Sequence, residues 1–109
     1  TEVDFKLSYV YEEAGKFYSS QGQQDRAIGY FQQAIPLSKD QDKLTYFMGV
    51  AYSLKKDYPK AIATLEKALS LTVKEDNKGN IYRTLARVYQ DAGNPEKAAE
   101  YAQRGGLGQ

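Results

Sequence analysis

The sequence repeats itself at a spacing of 34 residues, and this period constrains the fold more than any other feature. Five pairs keep one register across two copies: Gly15 and Gly49, Tyr18 and Tyr52, Ala27 and Ala61, Phe31 and Leu65, and Ala34 and Ala68. A third copy follows at a spacing of 37, which takes Tyr52 to Tyr89 and Ala61 to Ala98. We expect the three extra residues to fall within the polar stretch 74–79, which contains turn residues.

Each copy has the pattern of two helices. In the first helix of each copy, apolar or small residues recur at i, i+3, i+4 and i+7, one face of an α-helix: Tyr11, Ala14, Gly15 and Tyr18; Thr45, Met48, Gly49 and Tyr52; Tyr82, Leu85, Ala86 and Tyr89. Flanking pairs are expected to widen the buried side: Val10 and Phe17, Leu44 and Ala51, Ile81 and Val88. The second helices carry small residues, which let neighbouring helices approach closely: Ala27 and Ala34, Ala61 and Ala68, Ala98 and Ala102.

Turn residues separate the predicted helices. Gly22 and Gly93 are expected to end first helices in the left-handed conformation. The other turn residues are expected to begin or end second helices: Asp57 and Asn94 as N-caps, Pro59 and Pro95 in the first turn, and Pro36 as a stop.

The pattern aromatic-x2-small-Gly-x2-Tyr, followed by Ala-x3-large-x2-Ala, resembles the tetratricopeptide repeat over about residues 8–104. Three positions depart from that pattern: Thr45 replaces an aromatic residue, Ala86 the glycine, and Gly105 the last small helical residue. The resemblance implies an all-α fold, a right-handed α-solenoid of three helix-turn-helix hairpins. We divide the chain into an extension of the first helix (1–7), repeat 1 (8–41), repeat 2 with the insertion (42–78), repeat 3 (79–104) and a Gly-rich tail (105–109). The last helix is expected to end near Arg104.

The resemblance also implies a concave groove, lined mainly by the first helices, that takes a peptide or protein partner. Helical geometry then predicts which side chains face it: Tyr9, Glu12 and Lys16; Lys43, Tyr46 and Val50; Asn80, Arg83 and Arg87. Two interpretations stay open. In one, Tyr46 and Val50 offer apolar contact to the partner. Lys16, Arg83 and Arg87 then hold an acidic group of that partner. In the other, the face is solvated, and the arginines pair with Glu12, Asp91 or Glu100 at the surface.

One subgroup of the family holds the C-terminal carboxylate of heat-shock chaperones. Its clamp takes Lys and Asn, then Asn, then Lys and Arg from three successive first helices. The matching positions here are Glu12 and Lys16, then Phe47, then Asn80 and Thr84. None matches, so a clamp of that kind is not expected.

Composition argues against other classes of function. The chain has no His and no Cys, and its 15 basic and 14 acidic residues leave a net charge of +1. Without His and Cys we expect neither an enzyme nor a metal or cofactor site. The near-neutral charge argues against nucleic-acid binding, so an RNA-binding repeat is the weakest alternative. No apolar run is long enough to span a bilayer, so we do not expect membrane insertion. The neighbours Glu12 and Glu13 diverge on a helix, and the acidic stretches 40–42 and 75–76 are expected to be exposed loops. The compartment stays open between cytoplasm and periplasm.

The main alternative to peptide binding is a structural role, by self-association through open repeat edges or within a longer array. The last helix carries a stripe of Ala98, Tyr101 and Ala102, which either packs inward or leaves an edge open. At the other end, Phe5, Leu7 and Tyr9 are expected to extend and cap the first helix. Because the chain starts at Thr1 without Met, we expect a fragment or processed form. Similar arrays serve as scaffolds and adaptors in bacterial sensor, secretion and assembly proteins, so the resemblance leaves the partner open.

Overall fold

The computed structural model describes residues 1–106, which form helices and turns without a strand. The helices are α1 (Glu2–Ser20), α2 (Gln24–Ala34), α3 (Gln41–Leu54), α4 (Tyr58–Leu71), α5 (Glu75–Asp91) and α6 (Pro95–Arg104). They pack as the hairpins α1–α2, α3–α4 and α5–α6, and these stack through α2 on α3 and α4 on α5. The stack is thin, at 44 × 29 × 18 Å. The predicted all-α solenoid of three hairpins is confirmed, and residues 107–109 of the predicted tail lie outside the described part.

The helix ends follow the predicted turn chemistry. The side chains of Asp57 and Asn94 accept hydrogen bonds from backbone N–H groups in the first turns of α4 and α6. A 3₁₀ turn at Ile35–Leu37 contains Pro36 and follows the end of α2. Gly22 and Gly93 have φ angles of +79° and +83°, as predicted for residues that end a helix in the left-handed conformation. Lys56 occupies the equivalent position in the second hairpin and has a φ of +66°.

A lysine at the left-handed position of the second turn is strained, because its Cβ approaches the following carbonyl oxygen. We expect Lys56→Gly to raise the free energy of unfolding by about 0.5–1 kcal/mol, since the relieved strain exceeds the backbone entropy that glycine loses. Urea denaturation measures the change. The reciprocal Gly22→Ala variant should lose stability, and a less stable Lys56→Gly protein would contradict this account of the turn.

The three-residue insertion lengthens a helix and leaves the connection short. The stretch 74–79, expected as a turn-rich polar segment, is helical from Glu75 onward. As a result α5 has 17 residues where α3 has 14. Glu75 and Asp76 therefore lie in the first turn of α5 and not in a loop, where the positive end of the helix dipole favours acidic side chains. Asp42 is likewise helical, because α3 begins at Gln41.

The two helices of a hairpin approach most closely at the repeated glycine. A Cβ atom added to Gly15 would lie 2.5 Å from the ring of Phe31, and one added to Gly49 would lie 2.8 Å from Leu65. Both of these large side chains are buried. In the third hairpin the equivalent residues are Ala86 and Ala102. Ala86 adds a methyl group to the first helix, and Ala102 on the second helix is smaller than Phe31 or Leu65. The smaller side chain of Ala102 therefore leaves room for the methyl group of Ala86.

Glycine-to-alanine changes in this protein should have opposite signs at two positions. Gly49→Ala should destabilise the fold by about 1–3 kcal/mol, because Leu65 must move from a packed core. Gly29→Ala is the matched control, since Gly29 lies within α2 with open space at its Cβ, and alanine there should stabilise by about 0.5–1 kcal/mol. Thermal and urea denaturation of both variants give the comparison. If Gly49→Ala costs as much in a Leu65→Ala background as alone, the proposed contact is wrong.

The outer face of the first hairpin differs from the sequence prediction. Val10 and Phe17 were expected to be buried, yet they are 59% and 57% exposed. The equivalent residues Leu44, Ala51, Ile81 and Val88 are all buried, because α3 and α5 pack on the hairpin before them. Among the described residues no hairpin covers this face of α1. At the opposite end, Ala98 and Tyr101 are buried and Tyr101 stacks on Tyr89 of α5, so the last stripe packs inward.

Candidate functional site

A cleft of two adjoining cavities runs along the ends at which α3 and α5 begin. The larger has a volume of about 560 Å³ and lies between α3, the start of α5 and the α4–α5 connection. The smaller, of about 260 Å³, lies between α1 and the α2–α3 connection. The two share Lys39, Asp40 and Lys43 as walls, so they form one continuous surface, called the cleft from here on.

The structure divides the predicted groove residues into three sets. Five of them line the cleft, namely Tyr9, Glu12, Lys43, Tyr46 and Asn80. Lys16, Val50 and Arg87 lie one or two helical turns farther along their helices, outside the cavity walls. Arg83 turns towards the end of α6 and is described separately below.

Glu12 joins the first two hairpins through two ion pairs. Its carboxylate oxygens lie 3.2 Å from Nζ of Lys16 and 3.2 Å from Nζ of Lys43, and its side chain is only 8% exposed. The hydrogen bond that Lys16 donates to the Glu12 carboxylate raises the pKa of Lys16 above its ordinary value. The Lys16 ammonium also lies 5.2 Å from the centre of the Phe47 ring. Glu12, which the sequence predicts as a groove residue, does line the cleft, but its carboxylate is buried and already paired with two lysines.

Arg83 anchors the C-terminal end of the last helix. Its guanidinium donates a 2.8 Å hydrogen bond to the carbonyl of Gly105 and a second one to the side-chain oxygen of Asn80. Gly105 fits closely over the arginine stem, since a Cβ there would lie 2.8 Å from Cγ of Arg83. The sequence predicts that Arg83 offers its N–H donors to a partner or to surface carboxylates. In the structure two of these donors bond to Gly105 and Asn80 instead. Arg87 is exposed and forms no salt bridge among residues 1–106.

Tyr46 connects the second and third hairpins at the cleft wall. The tyrosine is half-buried, and its hydroxyl forms a 2.9 Å hydrogen bond with the hydroxyl of Thr84 on α5. Thr84 in turn donates to the carbonyl of Asn80. The position of the Tyr46 ring is therefore set by a bond between hairpins, and the ring forms part of a preorganised wall.

Several cleft residues come from the end of α4 and from the inter-repeat connections, which the helical-face prediction did not consider. Val73 is 85% exposed and Leu71 is 42% exposed, and both line the larger cavity beside Lys74. Thr72 between them is buried and donates a 2.7 Å hydrogen bond to the carbonyl of Ala68, which fixes the path of the connection. The signal that could have found them is the pair Leu71 and Val73, two apolar residues on either side of Thr72 where the helical pattern ends.

The cleft carries both signs of charge. Lysines 39, 43 and 74 line the larger cavity together with aspartates 40 and 42. Lys43 pairs with Glu12 and with Asp40, whereas Lys39 and Lys74 have no carboxylate within 4.0 Å in the part of the chain that the structure describes. Lys39 lies 4.5 Å from the centre of the Phe5 ring. Over the same residues no group of three His, Cys, Asp or Glu side chains could hold a metal ion, and no helix is long and apolar enough to span a membrane.

Comparison with known families agrees with the repeat pattern. One tetratricopeptide-repeat family model matches residues 42–105, and a second matches residues 10–45. The first alone spans more than half of the chain, so the chain belongs to the tetratricopeptide-repeat family. In general terms it is therefore a protein-interaction repeat module, on a fold that is generally a non-catalytic scaffold. No curated protein sequence matches the chain.

Solved structures with low sequence identity share the fold. A TPR2AB domain of yeast Sti1 in complex with pHSP90 superposes with a TM-score of 0.85 at 22% identity, and BtubC (BKLC) from P. vanneervenii with 0.84 at 20%. MamA superposes with a TM-score of 0.76 at 23% identity. These alignments cover 90–92% of this chain but only 40%, 45% and 56% of the three structures in that order. The chain thus spans about half the length of the proteins it resembles.

The Glu12 ion pairs should contribute measurably to stability. Glu12→Gln leaves Lys16 and Lys43 without their shared carboxylate, and because both lysines are half-exposed and can be hydrated, we expect a loss of about 1–2 kcal/mol. Glu13→Gln is the matched control: this neighbour is 48% exposed and among residues 1–106 forms an ion pair with Lys16 only, so the loss should stay within about 0.5 kcal/mol. Urea denaturation of the two variants measures both losses in the free energy of unfolding. Equal losses would contradict a special role for Glu12.

Proposed function

We propose that this chain binds a peptide segment of a protein partner along the cleft. The observation that carries the proposal is a continuous concave surface, about 560 Å³ and 260 Å³ in its two parts, on a module of the tetratricopeptide-repeat family. A cavity of this size suits one large side chain and its flanking backbone, since ligand pockets are about 300–1,000 Å³.

An apolar side chain of the partner is the proposed anchor. The larger cavity combines the Tyr46 ring with Leu71, Val73 and Ile81. Leu71 and Val73 are exposed, so a side chain that covers them removes apolar surface from water, at about 25 cal/mol per Å². Because the hydroxyl of Tyr46 is already bonded to Thr84, binding requires little reordering of that wall.

An acidic group is proposed to set the orientation of the bound segment. Lys39 and Lys74 lie on opposite connections of the larger cavity and lack carboxylate partners among residues 1–106. A carboxylate beside the anchor would gain a charge-assisted hydrogen bond from either of them. Beyond the cleft, the exposed Arg87 also has donors to offer, and Val50 holds the equivalent position on α3. The mixed charge of the cleft makes the apolar anchor the larger contribution to affinity.

The chaperone-tail clamp of the family is not part of this proposal. At its matching positions Glu12 is paired with two lysines, and Phe47 packs on Phe31 with ring centres 5.9 Å apart. Sti1 is described in complex with pHSP90, but the residues here present a different surface. The partner we propose is an extended peptide with a large apolar residue next to an acidic one.

A library of short random peptides displayed on phage tests the proposal. Selection on the purified chain should enrich peptides that carry a large apolar residue beside Asp or Glu. Val73→Asp and Lys74→Glu should each weaken a selected peptide at least about tenfold in fluorescence anisotropy, which corresponds to about 1.4 kcal/mol. The matched controls outside the cleft are Leu54→Asp, also an exposed apolar residue, and Lys67→Glu on α4, and both should bind normally.

Two outcomes would reject peptide binding in the cleft. In one, the selection enriches no peptide over an empty support. In the other, selected peptides bind the two cleft variants as well as the wild type. Circular dichroism and urea denaturation of all four variants show that any loss belongs to binding and not to unfolding.

A second candidate is a structural role, as a self-associating unit or as one segment of a longer helical array. The observation that favours it is the exposed apolar face of α1: Val10 and Phe17 are uncovered among residues 1–106, whereas the equivalent residues of α3 and α5 are buried. A concentration-dependent mass in sedimentation equilibrium would support this role, and a mass that stays monomeric would reject self-association.

A further inference from the structure

The outer face of α1 carries an apolar stripe with regular spacing, and no other helix within residues 1–106 covers it. Val3, Leu7, Val10, Ala14 and Phe17 follow one another at intervals of four and three residues, the spacing of a helix that packs along another helix. Four of them are 41–74% exposed, which is uncommon for large apolar side chains in a row. These five residues are called the α1 stripe below.

The repeat itself shows what kind of surface covers such a stripe. At the positions equivalent to Val10 and Phe17, the side chains of α3 and α5 are buried against the second helix of the hairpin before them. The α1 stripe therefore continues the inter-repeat interface of this chain by one more step, and its complement is the apolar face of another helix.

A second copy of this chain offers two helices to the α1 stripe. On α6 the exposed Ala99 stands where α4 has Ile62 and α2 has Ile28, and the half-buried Ala102 stands where they have Leu65 and Phe31. Contact with α6 would thus leave much of the stripe uncovered. Another α1 is 19 residues long, about 28 Å, and carries an apolar stripe of the same length.

Charges beside the stripe distinguish the two directions of packing. Lys6 and Glu13 flank it on one side and are exposed, while Tyr11 and Tyr18 on the other side pack on Tyr30 of α2. In an antiparallel pair with Leu7 opposite Val10, Lys6 of each copy comes opposite Glu13 of the other. This match occurs twice, as a symmetric interface requires. A parallel pair would place Lys6 against the tyrosine side and would gain no ion pair.

We propose that two copies of this chain form an antiparallel dimer through their α1 stripes. The dimer rests on the self-association proposed above and specifies its interface. It does not depend on peptide binding in the cleft. The twofold interface closes on itself, so assembly stops at the dimer and does not extend to a filament.

Sedimentation equilibrium of the purified chain at increasing micromolar concentrations is the first test. The wild type should approach the mass of a dimer and no more. Val10→Asp should raise the dissociation constant at least about a hundredfold, because it buries a carboxylate in the stripe. Val73→Asp is the matched control, since it places the same charge on an exposed valine of the cleft, and should dimerise as the wild type does.

Exchange of the flanking charges tests the direction of packing. Lys6→Glu and Glu13→Lys should each weaken the dimer at least about fivefold at low salt, and the double variant should restore it. Circular dichroism confirms that each variant is folded. A wild type that remains monomeric would reject self-association altogether. A dimer that is insensitive to Val10→Asp, an open series of larger species, or a double variant without rescue would reject this geometry alone.

Discussion

The close contact between the two helices of a hairpin sets the geometry on which the rest of the structure depends. At Gly15 and Gly49 the first helix has no side chain, and the Phe31 ring and the Leu65 side chain occupy the space that a Cβ would need. The second helix is held against the first at this point, so each hairpin becomes a rigid unit with a defined thickness. Stacking of such units through α2 on α3 and α4 on α5 then determines where the first helices and the connections lie.

The cleft is a consequence of this stacking and not of any single motif. Its walls come from the starts of α3 and α5 and from the connections before them, which the hairpin geometry brings side by side. Two interactions between hairpins hold these walls in place. Glu12 of α1 binds Lys43 of α3, and Tyr46 of α3 bonds to Thr84 of α5. These four polar side chains thus join neighbouring hairpins, and the partner that we propose would contact the cleft residues that remain exposed.

Helical spacing predicts the positions of side chains on one helix, but it does not predict contacts between residues that are distant in the sequence. Five of the nine residues that helical spacing predicted for the groove line the cleft, including Tyr9 and Asn80, because the direction of a side chain on a helix follows from its number alone; that they bind a partner stays a prediction. Spacing did not reveal that Glu12 is buried between two lysines or that Arg83 bonds to Gly105, since both depend on residues distant in sequence. It also assigned Val10 and Phe17 to the core by analogy with the other repeats, although the face they occupy is covered only when another helix packs on it.

The sequence by itself determined the number of repeats, the approximate helices and their turns. The reason is that a 34-residue period, glycine at left-handed turns and proline in first turns are local requirements of the backbone. Tertiary structure alone decided which polar residues join hairpins, how the insertion was absorbed into α5, and which apolar face stayed open. These outcomes depend on what packs against a residue, because burial and the pairing of charges are properties of neighbouring surfaces that a single helix does not contain.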